Sequence, residues 1–220
     1  CYSGHPFHDE YTIYYFSLLN TGSFKLMGMF TNNDEVDLGK GNQCAKCHQA
    51  RERDYPIGPQ ETGTMEIGPH WGPHHGTQTN LFVGKGGVEF GSGYSDSHPH
   101  GTVQDGCVSC HLGDDKNHTF AATVKSCEGC HSGAEDLDYR NYRPEIMKLT
   151  DSLRTLLVEN DLATYEEGDD YAHPIEQTGV DRQQAGAMYN YLLIVEDGSY
   201  GLHNPTYVET LLNNSIAVFN

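Results

Sequence analysis

The chain has 220 residues, with 13 Lys and Arg, 31 Asp and Glu and 13 His, for a net charge of −18. So acidic a chain disfavours nucleic acid and anionic membrane as partners, because both are bound through Lys/Arg patches. Its longest apolar run lies around Tyr191–Val195, well short of the roughly 20 residues of a membrane-spanning helix, and the length suits one domain with at most a small appendage.

In chain order, the first element is Cys1-Tyr-Ser-Gly4-His5-Pro-Phe-His8. Its meaning depends on three later pentapeptides: Cys44-Ala-Lys-Cys47-His48, Cys107-Val-Ser-Cys110-His111 and Cys127-Glu-Gly-Cys130-His131. Cys-x-x-Cys-His is the attachment signature of c-type haem. Two thiols two residues apart add across the two vinyl groups of one porphyrin, and the following histidine becomes the proximal iron ligand. With Gly4 in place of a second cysteine, the N-terminal stretch has the same spacing and one thiol. It is expected to hold a fourth haem through Cys1 and His5. A free thiol, or a lipid-bearing N-terminal cysteine left by signal cleavage, is the plain alternative.

Cys107, Cys110, Cys127 and Cys130 also fit zinc-ribbon spacing. Zinc leaves Cys44 and Cys47 without partners and does not call for a histidine after each pair. A disulfide framework fails for the same reason. The expected cofactors are therefore haem c groups, three from complete motifs and a fourth at the N-terminus. So many haems leave little polypeptide per cofactor, and the 25 glycines and 9 prolines agree with a mostly irregular, loop-rich wrapper around stacked haems.

Tyr11–Leu19 is an aromatic run that reads as a strand or as packing against a porphyrin face. Residues 31–43 read as a polar loop with a poor calcium-loop pattern. Residues 51–106 have almost no helical period. They carry Gly-Pro pairs, a glycine-rich stretch over 84–93 that fits a hairpin, and His70, His74, His75, His98 and His100.

The last third changes character. Tyr142–Asn160 carries Pro144 near its start and Ile146, Leu149, Leu153, Leu156 and Leu157 at helical spacing. Asp181–Glu196 repeats the pattern with Ala185, Met188, Leu192 and Val195. Asn204 and Pro205 read as the N-cap and first residue of a third helix through Leu211 and Leu212. The expected organisation is a multihaem region over 1–140 and a helical region over 141–220 packed on it as one cooperative unit.

Haems used for electron transfer have both axial positions filled. His5, His48, His111 and His131 are the proximal candidates, and nine histidines remain to serve four distal positions. An open iron is not required, which argues against a substrate-binding haem and hence against an enzyme. The five methionines sit in apolar contexts and read as core packing. Bis-histidine ligation and low potentials are expected throughout. His118 is the first distal candidate because it is tethered close to two motifs. One of His74 and His75, one of His98 and His100, and His203 follow, with His74 and His98 carried forward from the two pairs. Capping or packing is the alternative for His203. His8, three residues after His5, lies on the same side of a local turn and cannot reach the opposite face of the same iron; if it binds iron, it binds another haem.

The stretches Gly72-Pro-His74-His75-Gly, Tyr94-Ser-Asp-Ser-His98, Gly106-Cys107-Val-Ser-Cys110-His111, Asn117-His118-Thr119-Phe120 and Glu196-Asp-Gly-Ser-Tyr-Gly-Leu-His203-Asn-Pro-Thr-Tyr resemble the extracellular tetrahaem and related multihaem cytochromes that polymerise into nanowires, of the OmcE and OmcS type. The resemblance covers most of the chain and departs at Gly4, where the family has cysteine. It implies that His8 ligates a haem of the neighbouring subunit, and that head-to-tail contacts build a homopolymer conducting electrons to redox partners or an extracellular acceptor. Such a heterologous contact, when it does not close, gives a filament.

Thioether attachment is made outside the cytoplasm, so the chain is expected to be secreted, its signal peptide already removed, and to sit at the cell surface or beyond it. Asn117-His-Thr119 and Asn213-Asn-Ser215 match the glycosylation sequon. A monomeric periplasmic carrier with the same haems is the alternative function, and a small multihaem reductase a more distant one.

Overall fold

The computed structural model describes residues 22–28, 30–31, 33–51, 58, 62–73, 76–95, 98–112 and 119–220. Cys1, His5, His8, the aromatic run Tyr11–Leu19, His74, His75 and His118 lie outside the described residues.

Among the described residues the strands form three two-stranded antiparallel sheets. β1 (Phe24–Lys25) pairs with β2 (Glu35–Val36), β3 (Thr64–Ile67) with β6 (Gln177–Asp181), and β4 (Ala163–Thr164) with β5 (His173–Pro174). The second pair joins the early chain to the late chain, with Thr64 opposite Asp181 and Met65 opposite Val180. Short helices α1 (Asn42–Ala45), α2 (Gln78–Phe82) and α3 (Cys107–His111) punctuate the irregular first part.

Three longer helices follow: α4 (Tyr142–Glu159), α5 (Arg182–Asp197) and α6 (Pro205–Ala217). α4 buries Ile146, Thr150, Leu153 and Leu157 on one stripe, as the apolar spacing predicts. Asp181 caps α5, its side chain accepting from Gln183 N at 2.9 Å and Gln184 N at 3.2 Å, and Gly198 at φ 69° ends the helix in the left-handed conformation. Asn204 caps α6 by accepting from Tyr207 N at 3.2 Å, with Pro205 in the first position.

α5 departs from the one-sided stripe its sequence suggests. Ala185 through Ile194 are buried on every face, the mark of a helix surrounded by structure. α4 and α6 pack around it, and the irregular first part closes the rest. Trp71 Nε1 donates to Ala185 O at 3.1 Å and Thr77 Oγ1 to Leu193 O at 2.8 Å. Ala50, Ile67, Leu81, Val88 and Phe90 share one buried cluster with side chains of α4, α5 and α6. A smaller cluster of Phe24, Leu26, Val36, Leu38, Ala45 and Phe82 lies beside the motif at 44–48.

The glycine-rich stretch 84–93 forms no hairpin. Its backbone bonds to helix side chains instead of to a second strand. Asn190 Oδ1 accepts from Val88 N at 2.7 Å while Asn190 Nδ2 donates to Val88 O at 2.8 Å, and Tyr207 Oη accepts from Gly87 N at 3.1 Å. Asn214 Nδ2 donates to Phe90 O at 2.7 Å. A Cβ at Gly87 would stand 2.6 Å from Leu211 Cδ2, so glycine here serves close approach to α6. No helix among the described residues is long and apolar enough to cross a membrane.

Candidate haem-binding sites

Each complete motif folds as a single helical turn. His48 N donates to Cys44 O at 2.9 Å, and His131 N to Cys127 O at 2.8 Å. The middle motif is α3 itself. A helical turn places the first cysteine and the histidine four residues on along one face, with the second cysteine beside them. That is the arrangement a porphyrin held by two thioethers and one imidazole requires.

The motifs also adjoin one another. Gly41, just before α1, lies so close to the second motif that a Cβ there would meet Asp105 O at 2.9 Å and Cys107 N at 3.1 Å. Lys40 clasps the same corner, with Nζ 2.9 Å from Asp105 Oδ2 and its backbone N donating to Asp105 Oδ1 at 3.1 Å. Gly106, at φ 46°, makes the left-handed turn into α3 that L side chains avoid. The third motif is tied to the second by Ser126 Oγ donating to Cys110 O at 3.1 Å.

All six described cysteines are free thiols, so the disulfide alternative finds no bridge among them. Burial pushes the Cys107 thiol up to about 11, with a smaller push from Cys44. Burial raises Cys110 as well, helped by Cys127 and Cys130, and it raises Cys44 and Cys127. Thiols held this high are poor redox nucleophiles at neutral pH. Among the described residues no three of Cys, His, Asp and Glu gather into a group that would hold a metal ion by themselves. A structural zinc takes four such ligands and a catalytic one three, whereas iron already held in a porphyrin needs two.

Pairs of histidines are present. The rings of His111 and His203 stand with centroids 6.3 Å apart and planes at 46°. Those of His131 and His100 stand 6.0 Å apart at 88°. A metal–imidazole bond of about 2.0–2.1 Å, with the nitrogen about 1.1–1.2 Å from its ring centre, puts two imidazoles on opposite sides of one metal about 6.2–6.6 Å apart. The first pair has that span and the second is slightly tighter. His98 and His100, at 4.9 Å, are too close to face each other across an iron.

Ring packing alone also covers about 4.5–7 Å; the hydrogen bonds show which nitrogen of each ring is left open. His111 Nδ1 lies 2.7 Å from Phe120 O, His100 Nδ1 lies 2.7 Å from Leu202 O, and His203 Nδ1 lies 2.5 Å from Asp197 Oδ1. A carbonyl or carboxylate oxygen only accepts, so Nδ1 carries the proton in each ring and Nε2 keeps the lone pair a metal takes. His48 follows the same pattern, with Nδ1 3.1 Å from Gln78 Oε1.

His98 has the opposite tautomer. Its Nδ1 accepts from His100 N at 3.2 Å, which puts the proton on Nε2. Burial, then the neighbouring His100, lowers His98 to about 4 and holds it neutral. Of the two histidines that sequence left as alternatives, His100 has the ligand's hydrogen bonding.

His203 stands in an enclosed corner. Its side chain is 20 % exposed and that of Asp197 is 0 % exposed, and Phe82 packs edge-on to it at 6.3 Å. Burial alone would lower the imidazole; the charge and hydrogen bond of Asp197 outweigh it and raise it. Sequence reading missed Asp197, Gln78 and the carbonyls of Phe120 and Leu202 that orient these rings. The signal for Asp197 was an acidic residue in the last turn of a helix, where the helix dipole disfavours it. The others act through backbone or amide oxygens and leave no residue pattern. His70 is exposed in a turn and His173 lies in β5 with its ring 4.9 Å from Tyr171.

No protein-family model, curated protein or solved structure matches the chain.

Proposed function

We propose that the chain is a multihaem c-type cytochrome that polymerises into an extracellular filament for long-range electron transfer and turns over no substrate. The observation that carries the haem reading is the pairing of a motif histidine with a distant one at the span of a single iron. His111 with His203 has that span, and His131 with His100 comes slightly inside it.

Bound haem c supplies a one-electron iron couple, and the chain's own residues attach, ligate and orient it. Cys44 with Cys47, Cys107 with Cys110, and Cys127 with Cys130 take the thioether bonds, and Cys1 takes the single bond of a fourth site. His48, His111, His131 and His5 are proximal. His203 would be the second ligand with His111, and His100 the second with His131. His98 steps back to the role of orienting His100 through its backbone N–H. His74 and His118 are the distal candidates for the other sites, with His8 donated to the neighbouring subunit.

The close approach of the motifs at Gly41 and Ser126 supports a relay in the order 44–48, 107–111, 127–131. The resemblance to the nanowire cytochromes supports polymerisation, and thioether chemistry supports an extracellular location.

Intact mass and absorbance of the native protein, followed by electron microscopy of material sheared from cells, test this reading. Four haems, a fully low-spin spectrum and thin filaments of this chain are expected. Discrete particles with the full haem complement would replace the filament by a soluble periplasmic carrier. A protein without covalent haem would overturn the reading altogether.

A further inference from the structure

His203 is held differently from His48, His100 and His111. His100, His111 and His48 each give Nδ1–H to a neutral oxygen, from Leu202, Phe120 and Gln78. His203 gives it to the carboxylate of Asp197 at 2.5 Å.

The setting of that carboxylate is costly. Its side chain is fully buried, where an unpaired charge is strongly disfavoured. It also sits in the last turn of α5, beside the negative end of the helix dipole. What keeps it ordered is a local clasp. Ser199 Oγ donates to Asp197 Oδ2, and Ser199 N reaches the same oxygen at 3.3 Å. Ser199 Oγ in turn accepts from His203 N at 3.3 Å. Gln78 Nε2 donates to Glu196 O at 3.2 Å and Asp197 O at 3.1 Å, so the amide that orients His48 also braces this helix end. One carboxylate oxygen thus holds the turn after α5, and the other faces the imidazole.

We propose that Asp197 is a positioning residue that makes the iron that His111 and His203 would hold the lowest-potential centre among those of the described motifs. The inference rests on the haem reading above. A carboxylate on Nδ1 raises the basicity of the ligating imidazole. A fixed negative charge in a low-dielectric site favours the ferric over the ferrous state, because the ferric centre carries one more positive charge. The neutral oxygens facing His48, His100 and His111 do so less. The centre nearest the C-terminal helices is thus an energetic step within the relay.

The test is a redox titration of the holo-protein followed by absorbance and electron paramagnetic resonance. Asp197→Asn keeps the size and a hydrogen-bond acceptor but removes the charge. It is expected to keep every haem and every low-spin signal while the lowest midpoint moves positive and the others stay. Ser199→Ala removes the hydroxyl that draws charge onto Oδ2, and is expected to move the same midpoint negative. Should Asp197→Asn accumulate without its haems, the sign of the Ser199→Ala shift decides. Unmoved midpoints in the haem-loaded variants, or shifts of the reverse sign, overturn this proposal alone. Absence of covalent haem in the wild type overturns the haem reading, and is seen before any variant is made.

Discussion

His111, at the end of the second cysteine motif, and His203, just before the last helix, stand ring to ring with centroids 6.3 Å apart. Each has Nδ1 committed to an oxygen of the protein, Phe120 O for one and Asp197 Oδ1 for the other. On the haem reading, two rings so held, from distant parts of the chain, would share one metal through their remaining nitrogens. Substituting His203 by Ala is therefore expected to leave the haem count by mass unchanged and convert one haem from low-spin to high-spin. Absorbance and resonance spectra of the purified variant check this. A fully low-spin spectrum in the variant would remove His203 from the ligand set.

His98 and His100 make a sharper comparison, because they are neighbours with opposite hydrogen bonding. His100→Ala is expected to give a high-spin signal from the haem of the 127–131 motif. His98→Ala is expected to stay low-spin, with at most a small shift from the lost hold on His100 N. The reverse result would restore His98 as the ligand.

Gly41 tests the contact between motifs. Its backbone is ordinary right-handed helix at φ −65°, so conformation does not demand glycine. Space does, since an added Cβ would meet Asp105 O and Cys107 N. Gly41→Ala is expected to destabilise the fold by about 1–3 kcal/mol through overpacking, read by chemical denaturation. It is also expected to slow electron equilibration between the first two haems.

Asn190 clamps the backbone of Val88 from inside α5 and bonds Ser215 Oγ at 2.9 Å. Asn190→Ala strands a buried N–H and a buried carbonyl together. A loss on the order of 3 kcal/mol is expected, measured as a lower denaturation midpoint. Asn190→Asp, which cannot donate to Val88 O, should also be destabilised.

Alkaline stability follows from buried tyrosines. Burial, reinforced by Glu89, holds Tyr207 well above its ordinary value, and burial pushes Tyr94 up to about 12. Their folded values lie above the unfolded value of about 10, so between these the native state binds more protons than the unfolded one. Stability is then fully present below about pH 10 and is lost as pH rises toward and past 12. Denaturation midpoints across that window check the slope. Tyr207→Phe is expected to flatten it, at a cost of about 1–3 kcal/mol at neutral pH for the stranded Gly87 N–H.

The sequence by itself determined the three cysteine motifs and the late helices. Spacing within five residues decides a helical turn, and caps such as Asp181, Gly198 and Asn204 act on backbone groups two or three residues away. Those are local relations, and a one-dimensional pattern carries them. The sequence also placed His203 and the pair His98 and His100 among the distal candidates, without saying which iron each would serve.

Only the tertiary structure decided the rest. Burial of α5 on every face depends on Trp71, Val88 and α6 arriving from elsewhere, and no periodicity within the helix encodes them. The stretch 84–93 has hairpin composition, yet Asn190 and Tyr207 supply the bonds a second strand would have made. His203 falls to His111, and His100 to His131, because the chain folds back between segments remote in sequence. Which nitrogen of each ring stays open is set by an oxygen across the contact, and that choice exists only once the two segments meet.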